Sequence, residues 1–112
     1  MSHLYHYTSE EGLRGILQDG VIRSSSDTPD AVYGKGVYLT ALPPKTDDWD
    51  LQANNWDGSP EFYLTKLESL DYCIEFRKKD LPRVLKTESS RDVWMVPPDI
   101  HLSEVEFRVW KR

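Results

Sequence analysis

The stretch Tyr33-Gly34-Lys35-Gly36-Val37-Tyr38-Leu39-Thr40 constrains this chain more than any other. Two glycines two positions apart mark a turn, because a residue without a Cβ takes φ > 0 at little cost or lets another group approach its backbone. The four residues that follow alternate. Val37 and Leu39 point one way and Tyr38 and Thr40 the other, which is the period of a strand. One face can enter a core while the other presents a ring and a hydroxyl to a cleft. Taken alone, the pattern fits a hairpin corner with Tyr38 in the core better than a binding site.

A length of 112 residues suits a single domain over residues 1–112. Four Trp, six Tyr and three Phe are many for this length. A small domain needs most of such rings for its core, which leaves about two or three to line a site. The net charge of −5 argues against a broad nucleic-acid surface, so a macromolecular partner is expected to be a protein. Cys73 is alone and cannot close an internal disulfide. There is no apolar run of membrane-spanning length and no amino-terminal signal pattern, and patterned sequence begins by Leu4. The expectation is a protein without membrane or targeting segment, either cytoplasmic or delivered as an effector by other machinery.

Along the chain, His3-Leu4-Tyr5-His6-Tyr7 is aromatic-rich and favours a strand. Thr8-Ser9-Glu10-Glu11 fits a capping box with Thr8 as N-cap. Leu13, Ile16 and Leu17 share one helical face, and Gly20 stops the helix. Val21-Ile22-Arg23 is a short extended piece, followed by a polar loop over Ser24 to Ala31 and then the glycine strand. Pro43-Pro44 ends that strand, and Thr46-Asp47-Asp48 can cap a short helix carrying Trp49. Trp56-Asp57-Gly58 reads as a turn. Ser59-Pro60-Glu61 opens a helix with an apolar stripe of Tyr63, Leu67 and Leu70. Asp71 to Arg77 alternates as a strand, Thr87 to Ser90 is a polar turn, and Arg91 to Val96 is a strand stopped by Pro97-Pro98. Val105, Phe107 and Val109 alternate in a last strand, with Glu104, Glu106, Arg108 and the terminal Lys111-Arg112 as a solvated face and tail. The order β-α-β-β-α-β-β-β predicts an α+β domain with a split, mostly antiparallel sheet and a few short helices.

No metal pattern is present: His3, His6 and His101 have no ligand spacing, and the cysteine is alone. Walker, dinucleotide and serine-elbow motifs are missing, since Gly34 and Gly36 precede a strand rather than open a helix. What remains is Leu4-Tyr5-His6-Tyr7-Thr8, then a helix from Gly12 to Gly20, Val21-Ile22-Arg23, a loop, and Gly34-Lys35-Gly36-Val37-Tyr38-Leu39-Thr40. This ordered pair of motifs resembles the diphtheria-toxin and poly(ADP-ribose) polymerase class of ADP-ribosyltransferases. It is closest to the small His-Tyr-Asp members of polymorphic toxin systems.

The resemblance implies a split sheet that binds NAD+, as co-substrate and in a bent form, with no metal. It implies that His6 holds a ribose hydroxyl of the adenosine half, with Thr8 on the same ribose, and that the backbone of Tyr7 pairs with the nicotinamide amide. Arg23 matches a basic position near the pyrophosphate, and Gly36 of the second motif is expected among the NAD+-binding residues. Tyr38 stacks on nicotinamide, Thr46 falls near a hydroxyl that bonds its amide, and Trp49 stands where a second aromatic occurs. The catalytic set implied is His6, Tyr38 and an acid. The polymerases carry a glutamate at the start of a late strand. Here Asp92 is the nearest acid, which suits the toxin type, and Glu75 is the second choice. Without that glutamate, the expected activity is mono-ADP-ribosylation or NAD+ cleavage rather than chain elongation. The alternatives are an NAD+ glycohydrolase, a relative of RNA 2′-phosphotransferases, and a non-catalytic NAD+ or ADP-ribose-binding module. An immunity or antitoxin protein is an implied partner. Trp94, Trp110 and Tyr72 are assigned to packing.

Overall fold

The computed structural model describes residues 2–23, 36–51, 70–81, 83–86 and 92–112, and the backbone alone for 52–55. The first turn glycine Gly34 and the polar loop before it lie outside the described residues. So do the turn at 56–58, the helix expected over 59–69 and the turn at 87–90.

Strand β1 runs His3–Thr8 and pairs antiparallel with β4, Tyr72–Arg77, in the register Tyr5↔Glu75 and Tyr7↔Cys73. β4 in turn pairs with β8, Phe107–Lys111, giving the sheet order β1-β4-β8. A second sheet has the order β3-β6-β5, from Val37–Leu39, Trp94–Val96 and Leu85–Lys86. A third is the pair β2–β7, Val21–Ile22 with Ile100–His101. Helix α1, Glu10–Asp19, follows β1, and α2, Asp48–Asn55, follows β3. The fold is α+β, mostly strand, with antiparallel sheets.

The core is made where the predicted alternation meets the other elements. Leu4, Ile74 and Phe76 have no exposed surface, and Leu13, Val37, Leu39, Val96, Ile100 and Leu102 join them. Val37 and Leu39 are buried while Tyr38 between them is half-buried, as the period of two requires. α1 ends at Gly20, whose φ of 72° is left-handed and whose N–H reaches the carbonyl of Ile16.

Several expectations are corrected. The N-cap of α1 is Ser9, whose hydroxyl accepts from the Gly12 amide at 3.0 Å. Thr8 cannot serve because it still belongs to β1, opposite Tyr72. The last strand begins at Phe107, because a short 3-10 turn over Leu102–Glu104 intervenes and leaves Val105 against the core. Arg112 is no solvated tail, since its side chain is 11% exposed.

Candidate functional site

β1 and β3 belong to different sheets, and one antiparallel bridge joins them. The Tyr5 amide donates to the Thr40 carbonyl at 2.7 Å, and the Thr40 amide returns the bond at 3.0 Å. Residues two apart on a strand point their backbone groups the same way, so the amide and carbonyl of Tyr7 also face β3. There the ladder does not continue, and among the described residues nothing pairs with the Tyr7 backbone. The sheet is thus split beside Tyr7, with an amide donor and a carbonyl acceptor at the opening.

His6 is tied to the far side of that split. Its Nδ1 lies 3.1 Å from the Tyr38 carbonyl oxygen. A carbonyl only accepts, so Nδ1 carries the hydrogen and Nε2 of the neutral ring is left as an acceptor. Burial lowers the pKa of His6, against a smaller opposing effect from that hydrogen bond. The neutral imidazole is therefore favoured, and it can accept a hydrogen bond from a hydroxyl.

Across the register from Tyr38 stands Met95. Gly36 is buried, and a Cβ there would lie 2.5 Å from Cγ and 2.8 Å from Sδ of Met95. Among the described glycines only Gly20 has positive φ, so Gly36 serves close packing rather than an unusual turn. The glycine at position 12 has a similar reason, since a Cβ there would meet the Thr8 hydroxyl.

The remaining rings and acids of β1 and β4 are anchored. The Tyr7 hydroxyl donates to the Leu42 carbonyl at 2.6 Å, and burial raises its pKa. The Tyr5 hydroxyl donates to Glu75 at 3.0 Å, and burial, helped by that carboxylate, pushes Tyr5 up to about 12. Cys73 is fully buried and pushed up to about 12 by burial, so it is no nucleophile.

Asp92 is held beside β3. Its Oδ1 accepts from the Ala41 amide at 3.0 Å and from the Trp94 indole at 2.8 Å. Ala41 follows Thr40, so about 10 Å of strand separate it from Tyr38. Asp92 thus stands on the Leu4 side of the bridge, and the split on the Tyr7 side. Arg23 sits at the end of β2, exposed and 3.9 Å from Asp19. The described geometry groups His6, Tyr7 and Tyr38, and leaves Arg23 on the separate β2–β7 pair.

Thr46 and Trp49 lie on the segment after β3. The Thr46 amide donates to the Pro43 carbonyl at 2.9 Å, Asp47 caps α2 through the Asp50 amide at 2.9 Å, and Trp49 on α2 is 63% exposed. Arg112 fixes this segment. Its guanidinium donates to the carbonyls of Pro44, Thr46 and Leu70 at 3.0, 2.6 and 2.9 Å, and pairs with Asp48 at 2.8 Å. It also lies 5.9 Å from the centre of the Tyr7 ring. No local pattern in the sequence marks Arg112, because all but one of its partners are backbone carbonyls.

Among the described residues no cluster of His, Cys, Asp or Glu could hold a metal ion. No described helix is long and apolar enough to cross a membrane. An open cavity of about 630 Å³ at the other end of β1, lined by Ser2, His3, Arg77 and Lys78 among others, includes neither His6 nor Tyr38.

No curated protein matches the chain, and no solved structure does. A family model described as HYD1 signature containing ADP-ribosyltransferase, a toxin-type signature, matches residues 4–104, from the strand that carries His6 to the turn before β8. With nearly the whole length matched, and a split sheet carrying the histidine and tyrosine at its opening, the chain belongs to the HYD1 family of ADP-ribosyltransferases.

Proposed function

We propose that this domain is an NAD+-dependent mono-ADP-ribosyltransferase. The observation that carries the reading is the Tyr7 backbone at the split, which pairs with nothing among the described residues and is flanked by His6 and Tyr38. A carboxamide such as that of nicotinamide carries one acceptor and paired donors, which complements a backbone N–H and C=O side by side. His6 Nε2 accepts from a ribose hydroxyl, and Tyr38 supplies the ring that packs on the heteroaromatic leaving group. Thr8 follows on β1 as a further hydroxyl, Gly36 keeps the start of β3 against β6, and Thr46 and Trp49 close the nicotinamide side. Arg23 remains the proposed pyrophosphate contact.

In the reaction the bond between the ribose anomeric carbon and the nicotinamide nitrogen breaks, and its electron pair leaves with nicotinamide. The sugar becomes oxocarbenium-like, as in glycoside cleavage. A fixed carboxylate stabilises that charge because its orientation needs no reorganisation when the charge develops. Asp92, held by two N–H donors on one oxygen, is the proposed group, which requires the ribose to reach past the Tyr5–Thr40 bridge from the split, and Glu75, held by Tyr5, is the second. The acceptor nucleophile then bonds to the anomeric carbon and loses a proton.

The test is incubation with labelled NAD+, comparing wild type with His6→Ala, Asp92→Asn and Glu75→Gln. Labelled macromolecule plus free nicotinamide, lost with His6→Ala, supports the reading. Free ADP-ribose alone assigns water as acceptor and makes the protein a glycohydrolase. NAD+ binding without turnover reduces it to a binding module, and no binding at all sinks the proposal.

A further inference from the structure

Arg112 has a larger set of partners than any surface arginine needs. Its side chain is almost buried, whereas that of its ionic partner Asp48 is 62% exposed. The ion pair alone is therefore a poor reason for the arrangement, since exposed charges contribute little. The three carbonyls are the better one. A guanidinium has five N–H donors in a fixed fork, and this one spreads them over Pro44, Thr46, Leu70 and the Asp48 carboxylate. The Arg112 amide itself donates to the Asp71 carbonyl at 2.8 Å, which aligns the residue at the end of the β4–β8 pair. The guanidinium thus links two parts of the chain that are far apart in sequence: the 44–48 segment, from the turn after β3 into α2, and the approach to β4 at Leu70.

We infer that Arg112 is a positioning residue that latches the 43–48 turn and α2 onto the β1-β4-β8 sheet, beside Tyr7, and so sets the nicotinamide side of the site. The inference rests on the proposed NAD+ reading for its functional half, and on geometry alone for its structural half. Thr46 and Trp49 do not touch β1 through any strand pairing. The Tyr7 hydroxyl on the Leu42 carbonyl and the buried Leu51 also hold this segment, and Arg112 adds a tie to it from the opposite end of the chain. Lysine can replace it only in part, because a single ammonium is a point charge without a fork.

Arg112→Ala, Arg112→Lys and Asp48→Asn separate the two halves. Hydrogen exchange, which needs no NAD+, is read over 42–55 and over β1 and β4. The latch predicts faster exchange in 42–55 for Arg112→Ala with β1 and β4 unchanged, partial protection in Arg112→Lys, and the least change in Asp48→Asn. Equal acceleration everywhere, or none in 42–55, overturns it. In nicotinamide release, Arg112→Ala is expected to raise KM for NAD+ by about tenfold, the scale of one charge-assisted hydrogen bond, with kcat much less affected. Faster exchange with unchanged KM overturns the positioning role. A wild-type protein that releases no nicotinamide fails the NAD+ reading instead, and the exchange comparison then still decides whether Arg112 is a latch.

Discussion

At His6 one hydrogen bond and one buried environment together decide what the ring can do. The Tyr38 carbonyl fixes the hydrogen on Nδ1, and burial disfavours the charged form. The folded ring therefore holds its proton less well than the unfolded one, whose ordinary pKa is 6.5. Above that value both states are neutral and stability is unaffected. As pH falls below it the unfolded chain takes the proton first, so stability drops until the folded ring also titrates. The expected outcome is a Tm that declines below pH 6.5, with a smaller decline in His6→Gln, read by thermal denaturation of both across pH 8 to pH 5. NAD+ affinity should hold through pH 6.5 and fall only at the lower pH where the folded ring itself takes the proton, because a protonated Nε2 no longer accepts. Gly36 gives a second residue-scale prediction. Gly36→Ala forces its Cβ into Met95 and should cost about 1–3 kcal/mol in denaturant unfolding. Met95→Ala should recover part of that in a double-mutant cycle, and full additivity would contradict the packing account.

At the scale of elements, the chain reveals its longer strands and α1 through periodicity, and hides what periodicity cannot encode. β1, β3, β4 and β6 follow the alternation of Leu4, Val37, Leu39, Ile74, Phe76 and Val96, each buried where the pattern requires it. β2, β5 and β7 have two residues each, too short for any period to register. The cap moved from Thr8 to Ser9 because β1 kept Thr8, a tertiary preference over a local one. Ser9→Ala should therefore lower stability by about 1 kcal/mol and Thr8→Ala should not do so through the cap. Comparing the two by chemical denaturation checks the assignment. Of the candidate site, His6 and Tyr38 were legible as an ordered pair of motifs. The Ala41 and Trp94 contacts of Asp92 were not, since they depend on the register of β3 against β6.

For the whole molecule, the candidate site lies between sheets rather than on one of them. A ligand that fills such a split binds the folded state alone and stabilises it by mass action. NAD+ at a hundredfold excess over its Kd should add about 2.7 kcal/mol, a rise in Tm of roughly 8–15 °C for a chain of this size. Calorimetric scans with and without NAD+ measure this, and an unchanged Tm at millimolar NAD+ would count against the split as a binding site.

The lone exchange of amides between Tyr5 and Thr40 makes a seam down the molecule. Opening there breaks those two backbone bonds and the side-chain bonds from His6 to the Tyr38 carbonyl and from Tyr7 to the Leu42 carbonyl, and leaves every described ladder intact on either flank. On the proposed NAD+ reading, a dinucleotide is admitted by hinging at this seam, with neither described sheet unravelling. Deuterium uptake at those two amides should run ahead of that at Ile74 in the neighbouring ladder, and slow when the split is occupied.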